Sequence, residues 1–333
     1  MWISILIDVV KVIVVFAGLL FMVAYSTWFE RRTVAFIQSR VGPNRVGPFG
    51  LLQPIADAIK LLFKESFLPA DTSNKLLFSI APMISFVTAV LSIAVIPVGD
   101  SITIAGHEIK LIISDLNIGL LYIFAMGSLG VYGVVLAGWA SNSKYSLLGG
   151  LRAAAQMISY EIGLGLSVVG VLMIAGTFSL AEIVRLQSGS VFDWFIFQQP
   201  VAFLLFIVCG VAESNRIPFD LPEAESELVA GYHTEYAGMR FSVFFLGEYA
   251  HMLVVSMFAS SLFFGGWSGP FLPPVVWFVI KTAAFMFLYI WLRGTLPRLR
   301  YDQLMRFGWL VIFPLALANV IVTALVMILM GTN

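Results

Sequence analysis

A single cysteine, Cys209, stands in a chain of 333 residues. That excludes a disulfide framework, and it excludes an iron–sulfur cluster or Cys-type zinc site held by this chain alone. Charge is scarce too: 11% of residues are charged, against ~25% in ordinary globular chains. Nineteen basic and nineteen acidic residues cancel, so nucleic-acid binding by bulk electrostatic attraction is excluded. Internal repeats, low-complexity tracts and domain-separating linkers are absent, as are GxxxxGK(S/T), GxGxxG after a strand, HExxH and CxxC. Any nucleotide, flavin or iron–sulfur cofactor must therefore belong to another chain, and no metal site is expected here. The sequence is instead filled by apolar residues, 60% of the total, with a mean hydropathy of +0.96. It reads as an all-α, polytopic membrane protein forming one membrane domain, 1–333.

A hydrocarbon core of ~30 Å takes about 20 apolar residues per helix. Eight stretches meet or approach that length: 2–28, 76–98, 116–138, 153–176, 197–213, 241–265, 275–293 and 306–330. The fifth is short and opens on Gln198, Gln199 and Pro200. Continuous runs of this kind exclude a porin-type barrel, whose strands are shorter and alternate. The first stretch lacks the basic start of a signal peptide and is followed by Glu30, Arg31 and Arg32, so it is expected to remain as a span.

Basic residues predict the sidedness. Fifteen of the nineteen Lys and Arg lie in or beside the odd-numbered loops, against two, Lys110 and Arg185, in the even ones; Lys11 and Lys281 lie within spans. By the positive-inside rule the odd loops face the cytoplasm or matrix, and both termini face the outer (periplasmic or intermembrane) side. Between the first two spans, 51–64 (LLQPIADAIKLLFK) puts Leu51, Ile55, Ile59 and Leu62 on one helical face, with Asp57, Lys60 and Lys64 elsewhere. The segment is too short to cross a bilayer, and its pattern predicts an amphipathic helix lying in the plane of the interface.

An ionisable group inside a span costs roughly 2.5–3.5 kcal/mol near the bilayer centre and needs a reason. Glu161 and Glu248 fall seven or eight residues inside the fourth and sixth predicted spans, and Glu213 closes the fifth on the same side. At ~1.5 Å per residue the first two sit roughly 10–12 Å deep. Three carboxylates from three helices in one leaflet fit a proton relay, since a partly desolvated carboxylate can trade protons. The competing expectation is a structural partner for each; His251, one turn after Glu248, is available. Asp8 and Lys11, spaced i, i+3, read as a local ion pair.

The acidic loop 213–240 holds Glu213, Asp220, Glu223, Glu225, Glu227 and Glu235, six of the nineteen acids, with Arg216 the one base as far as 235. Asp220-Leu-Pro-Glu223 reads as a capping box, which accounts for two or three of them through the helix dipole. The remainder are crowded near a membrane surface and cannot all ionise cheaply, so at least one is expected to accept protons near neutral pH. The turn Gly42-Pro43-Asn44-Arg45-Val46-Gly47-Pro48 presents Arg45, either to steer the chain into the in-plane helix or as a contact. Arg298 and Arg300 are divided between a snorkelling basic belt and a docking or ligand contact. His107 reads as an ordinary surface residue.

Taken together, Glu30-Arg31-Arg32, 38–64, 137–148 (AGWASNSKYSLL), 158–161 (ISYE), 213–236 (ESNRIPFDLPEAESELVAGYHTEY) and 298–305 (RLRYDQLM) resemble, in order and over nearly the whole chain, the NuoH-type subunit of proton-pumping NADH:quinone oxidoreductase (respiratory complex I), the family of mitochondrial NADH dehydrogenase subunit 1. The resemblance implies a subunit at the junction with the hydrophilic arm, in a bacterial inner membrane (favoured here) or a mitochondrial one. It would form the membrane-side wall of the quinone chamber and its entrance from the bilayer. Quinone is then the substrate, and FMN and the iron–sulfur clusters lie in partner subunits. The implied partners are the terminal iron–sulfur cluster subunit, a hydrogenase-large-subunit-like subunit, small membrane subunits, antiporter-like subunits and lipid. Spans 2–6 would resemble the five-helix half of an antiporter-like subunit. By motif, Glu161, Glu213, Glu223, Glu225, Glu227 and Glu248 map to the acidic path linking quinone site and proton channels. Asp57, Arg45 and the 51–64 helix map to the quinone entrance, with Arg31, Arg32, Arg216, Asp220, Arg298 and Arg300 expected around the chamber. One departure is Ser128, where some members carry an acid, so the relay must step past that point by water or another group. The chain also stops after the eighth span, without the extra C-terminal helix of some members.

The expected mechanism brings quinone in between spans 1 and 6 and the in-plane helix. Its reduction shifts protons from the acidic loop toward Glu213, Glu248 and Glu161. Two rivals stand against it: a homologous anchor subunit of a membrane-bound hydrogenase or formate hydrogenlyase, separated by its partners, and a stand-alone ion transporter. The latter predicts inverted repeats with broken spans, which the sequence lacks.

Overall fold

The structure, a computed structural model, describes residues 2–70, 72–104, 107–221 and 229–331. In chain order its helices are α1 (Trp2–Ile37), α2 (Gln53–Phe63), α3 (Lys75–Ser92), α4 (Gly119–Ala140), α5 (Lys144–Ala175), α6 (Leu180–Leu186), α7 (Phe195–Gln198), α8 (Pro200–Glu213), α9 (Gly238–Phe263), α10 (Pro274–Thr295), α11 (Tyr301–Phe307) and α12 (Phe313–Met330), with a π-helical turn, Gly308–Ile312, joining the last two. A small antiparallel hairpin, β1 (Ser101–Ile104) and β2 (His107–Lys110), lies between α3 and α4 and pairs Ser101 with Lys110. Among the described residues, seven helices are long and apolar enough to cross a membrane: α1, α3, α4, α5, α9, α10 and the α11–α12 unit.

The fifth expected span is shorter than an ordinary crossing. Gln198, Gln199 and Pro200 break it into α7 and a 14-residue α8, since Pro fits the first turn of a new helix and not the interior of an old one. Other boundaries move outward. α1 continues to Ile37 rather than stopping at 28, α5 starts at Lys144 rather than 153, and α9 starts at Gly238 rather than 241. Apolar composition marks where a helix would meet lipid, whereas the backbone stays helical through good helix formers such as Arg31, Arg32 and Arg152. Helix α1 stops only short of the Gly42-Pro43 turn.

α9 is the central element, packed on α1, α3, α8 and α10, and it is apolar around most of its circumference, as a helix buried on all sides must be. α1 shows it one face: Leu19, Val23, Ser26 and Glu30, at i, i+4, i+7 and i+11, are buried, while most of the rest of α1 is exposed or half-buried. α3 and α4 approach closely at Gly133, where an added Cβ would lie 2.2 Å from Ser85 Oγ and 2.9 Å from the Ala81 carbonyl oxygen. Small residues permit such contact where lipid supplies no hydrophobic drive. α2 lies against α1 and α9, but its apolar stripe, Ile55, Ile59 and Leu62, is exposed and points away from them. The Asp8–Lys11 pair forms at 3.2 Å.

Candidate functional site

Two buried hydrogen-bonded junctions carry the charged side chains. The first begins at the end of α8. The Gln156 amide of α5, fully buried, donates to the carbonyl oxygens of Ala212 (2.6 Å) and Phe219 (2.7 Å). That clasp holds the last turn of α8 and the segment after it against α5, and so places Glu213. Glu213 Oε1 lies 3.5 Å from His251 Nε2 of α9. Glu161 of α5 accepts a short hydrogen bond from Ser128 of α4 and lies within electrostatic range of both Glu213 and His251. Glu213, Glu248 and His251 border a cavity of about 50 Å³, faced by a ladder of hydroxyls on α3, Ser85, Thr88 and Ser92. Glycines on α4 keep this space open: a Cβ on Gly127 would lie 3.2 Å from Glu213 Oε1, and one on Gly130 3.2 Å from Thr88 Oγ1. A cavity of this size, bordered by carboxylates and hydroxyls, has room for water.

The second junction centres on Arg216, 4% exposed. Its Nη1 lies 3.4 Å from Glu30 Oε2 of α1, its Nε lies 2.8 Å from Glu248 Oε1 of α9, and its guanidinium stacks on the Tyr249 ring at 4.2 Å. Glu30 also accepts from the Tyr249 hydroxyl (2.8 Å) and pairs closely with Arg293 of α10. Desolvation by itself lowers the Arg216 guanidinium, but the charges of Glu248 and Glu30, with the Tyr249 side chain beside it, outweigh it and hold the group well above its ordinary value. Arg216 is therefore a permanent buried cation, acceptable only because two acids, Glu30 and Glu248, pair with it.

A larger cavity, about 550 Å³, opens between α1, α2 and α9, within the range of small-ligand sites. Val23, Ala24 and Phe245 give it apolar walls, and Arg31, paired with Asp57 at 2.6 Å, lies at its polar side. Gln53 donates to the same Asp57 at 2.9 Å. Arg32 turns the other way, donating to the Phe49 carbonyl at 2.9 Å and lying over the Trp28 and Phe49 rings. It pins the 42–50 turn to α1. Gly50 completes that turn at φ +75°, where a Cβ would come 2.2 Å from the Pro43 carbonyl oxygen.

The expected site residues therefore separate. Glu161 and Glu213 come together, Glu248 joins Arg216, and Arg31 joins Asp57. Asp220 pairs with Arg298 at 2.8 Å, tying the acidic loop to the segment before α11. Arg45 and Arg300 are exposed, Arg300 lying 3.3 Å from Asp302. Glu223, Glu225 and Glu227, and with them the capping-box expectation, lie outside the described residues. His251 does not pair with Glu248: its ring lies 3.5 Å from Glu213 Oε1, while Glu248 lies 2.8 Å from Arg216 Nε. Three participants escape sequence reasoning. Glu30 reads there only as a flank of the first span, and Tyr249 and Arg293 carry no separate signal. The hydroxyl ladder is legible as polar positions at i, i+3 and i+7 within an apolar helix.

A family model described as NADH dehydrogenase matches residues 10–324. The chain is 57% identical over 317 residues to an H-type subunit (the one numbered 2) of the NADH-quinone oxidoreductase of Geobacter sulfurreducens, covering 95% of each chain. It is 55% identical over 326 residues to the H-type subunit numbered 1 of Geobacter metallireducens, covering 98% of each. It is 56% identical over 315 residues to the corresponding NADH-quinone oxidoreductase subunit of Thermomicrobium roseum, covering 92% of each.

Proposed function

The chain belongs to the NADH dehydrogenase family as a NuoH-type membrane subunit of NADH:quinone oxidoreductase, and from that premise we propose that it walls the quinone chamber and passes the consequence of quinone reduction to a row of carboxylates. The observation that carries this reading is the placement of two cavities along one helix. Phe245 and Leu246 of α9 line the large cavity between α1, α2 and α9, and the next two residues, Gly247 and Glu248, line the carboxylate cavity. Quinone enters from the bilayer between α1, α2 and α9, past Arg31 and Asp57. Its reduction takes two electrons from the terminal iron–sulfur cluster of a partner subunit and two protons from its surroundings. Removing those protons changes the charge felt by the Glu30–Arg216–Glu248 junction, and protons redistribute along Glu248, Glu213 and Glu161. The acids at 223, 225 and 227 feed that row. Both termini face the outer side of a bacterial inner membrane, α8 completes an eighth crossing, and the whole chain forms one membrane domain against the redox arm and the antiporter-like subunits.

The test is Glu161→Gln in the assembled complex. NADH:quinone turnover is expected to fall at least about tenfold, in keeping with loss of a positioned proton carrier, while NADH oxidation by a water-soluble artificial acceptor is kept. Unchanged quinone turnover refutes the relay.

A further inference from the structure

The carboxylate row contains one group of a different kind. His251 reaches from α9 to within 3.5 Å of Glu213 Oε1, and its Nε2 is buried without a hydrogen-bond partner among the described residues. Glu213 Oε2 is likewise buried and unpartnered. Both residues line the ~50 Å³ cavity, which has room for water to bridge them. We propose that His251 is a proton-carrying member of the relay, standing between Glu213 and Glu161.

Three features support the assignment. An imidazole has two ring nitrogens and can take a proton at one and release it again, which a hydroxyl does far less readily. Ser128, the group hydrogen-bonded to Glu161, is such a hydroxyl. The remaining surroundings of His251 fit a carrier rather than a fixed ion pair. Glu213 faces it from α8, Glu161 acts on it from α5, and Glu248 shares its helix one turn away but is engaged at 2.8 Å by Arg216. α3 presents no charged group to the cavity, only Ser85, Thr88, Ser92 and the apolar Ala89, and Tyr232 lines it from the segment before α9. A protonated Glu213 therefore gives its proton to Nε2, leaving a carboxylate and an imidazolium; the imidazolium then gives it to the Glu161 carboxylate, and the ring returns to neutral. No bond other than those to the proton changes.

The inference rests on the glutamate relay, and the experiment separates the two. His251→Asn and Glu161→Gln are each introduced into the complete complex, in membranes. NADH:quinone turnover is followed from pH 5.5 to 8.5 with artificial-acceptor activity as the measure of assembled enzyme. We expect His251→Asn to slow quinone turnover about tenfold per assembled complex. We also expect the ratio of wild-type to variant turnover to follow a one-proton curve, because asparagine keeps a polar, uncharged side chain at this position but cannot carry a proton. A ratio that is lowered but flat with pH marks a structural role and overturns the inference. Loss in Glu161→Gln with none in His251→Asn overturns it too and leaves the relay standing. No loss in either overturns both.

Discussion

Replacing Arg216 by leucine isolates the energetics of the buried junction. The guanidinium is 4% exposed, and Glu30, at 6%, keeps Tyr249 and Arg293 when it goes. Glu248 loses the cation at 2.8 Å. Removing one member of a buried pair costs about 3–5 kcal/mol when the other stays charged. A carboxylate that loses its cation can instead take up a proton, at ~1.4 kcal/mol for each pH unit above the ordinary carboxylate value of about 4.3. That route limits the loss to about 3.7 kcal/mol at pH 7 and about 1.6 kcal/mol at pH 5.5. The deficit of Arg216→Leu against wild type is therefore largest at neutral pH and shrinks by about half as the pH falls to 5.5. Arg216→Lys keeps the charge and should lose less at both values, with some loss remaining because an ammonium cannot span Glu30 and Glu248 as the planar guanidinium does. Solubilised complex heated at each pH, and scored for the temperature at which the tagged subunit leaves the NADH-oxidising assembly, measures this directly. A deficit independent of pH, or equal for leucine and lysine, refutes the reasoning, because it would mean that the cation contributes packing alone.

Two further outcomes follow from the packing. His233 is buried among Tyr232, Phe241 and Phe244, and desolvation pushes it from 6.5 down to about 3. The unfolded chain thus binds a proton that the folded chain refuses, so this contribution is complete above pH 6.5 and is lost as the pH falls, by ~1.4 kcal/mol at pH 5.5. His233→Phe should flatten the fall in thermal midpoint between pH 7 and 5.5, and an unaltered slope would count against it. Gly133→Val, which drives side-chain atoms onto the Ala81 carbonyl and the Ser85 backbone, should cost at least ~1–3 kcal/mol and lower the yield of assembled subunit; wild-type yield and midpoint would show that α3 and α4 do not approach as closely as described.

Much of the architecture is legible because a bilayer imposes simple rules. Apolar run length locates all seven long helices, and the Gln198-Gln199-Pro200 break marks where the remaining one is short. The stripe at Leu51, Ile55, Ile59 and Leu62 predicts α2 and its outward apolar face. Helix ends are less legible: Lys144 and Arg152 interrupt hydropathy without interrupting the backbone hydrogen bonds of α5. The site is legible as a set of residue types, since a glutamate in a span carries its own warning.

Sequence alone determined that this chain is a bundle of membrane helices, that it holds no cysteine cluster of its own, and that Glu161, Glu213 and Glu248 needed partners. Those conclusions depend only on the cost of placing polar groups in hydrocarbon, which each residue meets independently of its neighbours. Tertiary structure decided which partners they have. Arg216 joins Glu30 and Glu248, lying 186 and 32 positions away, and His251 turns to Glu213 rather than to Glu248 on its own helix. Such choices depend on the rotation of each helix about its axis and on close approaches such as Gly127 beside Glu213. Both are set by packing between helices far apart in the chain, where spacing along the sequence carries no record of them.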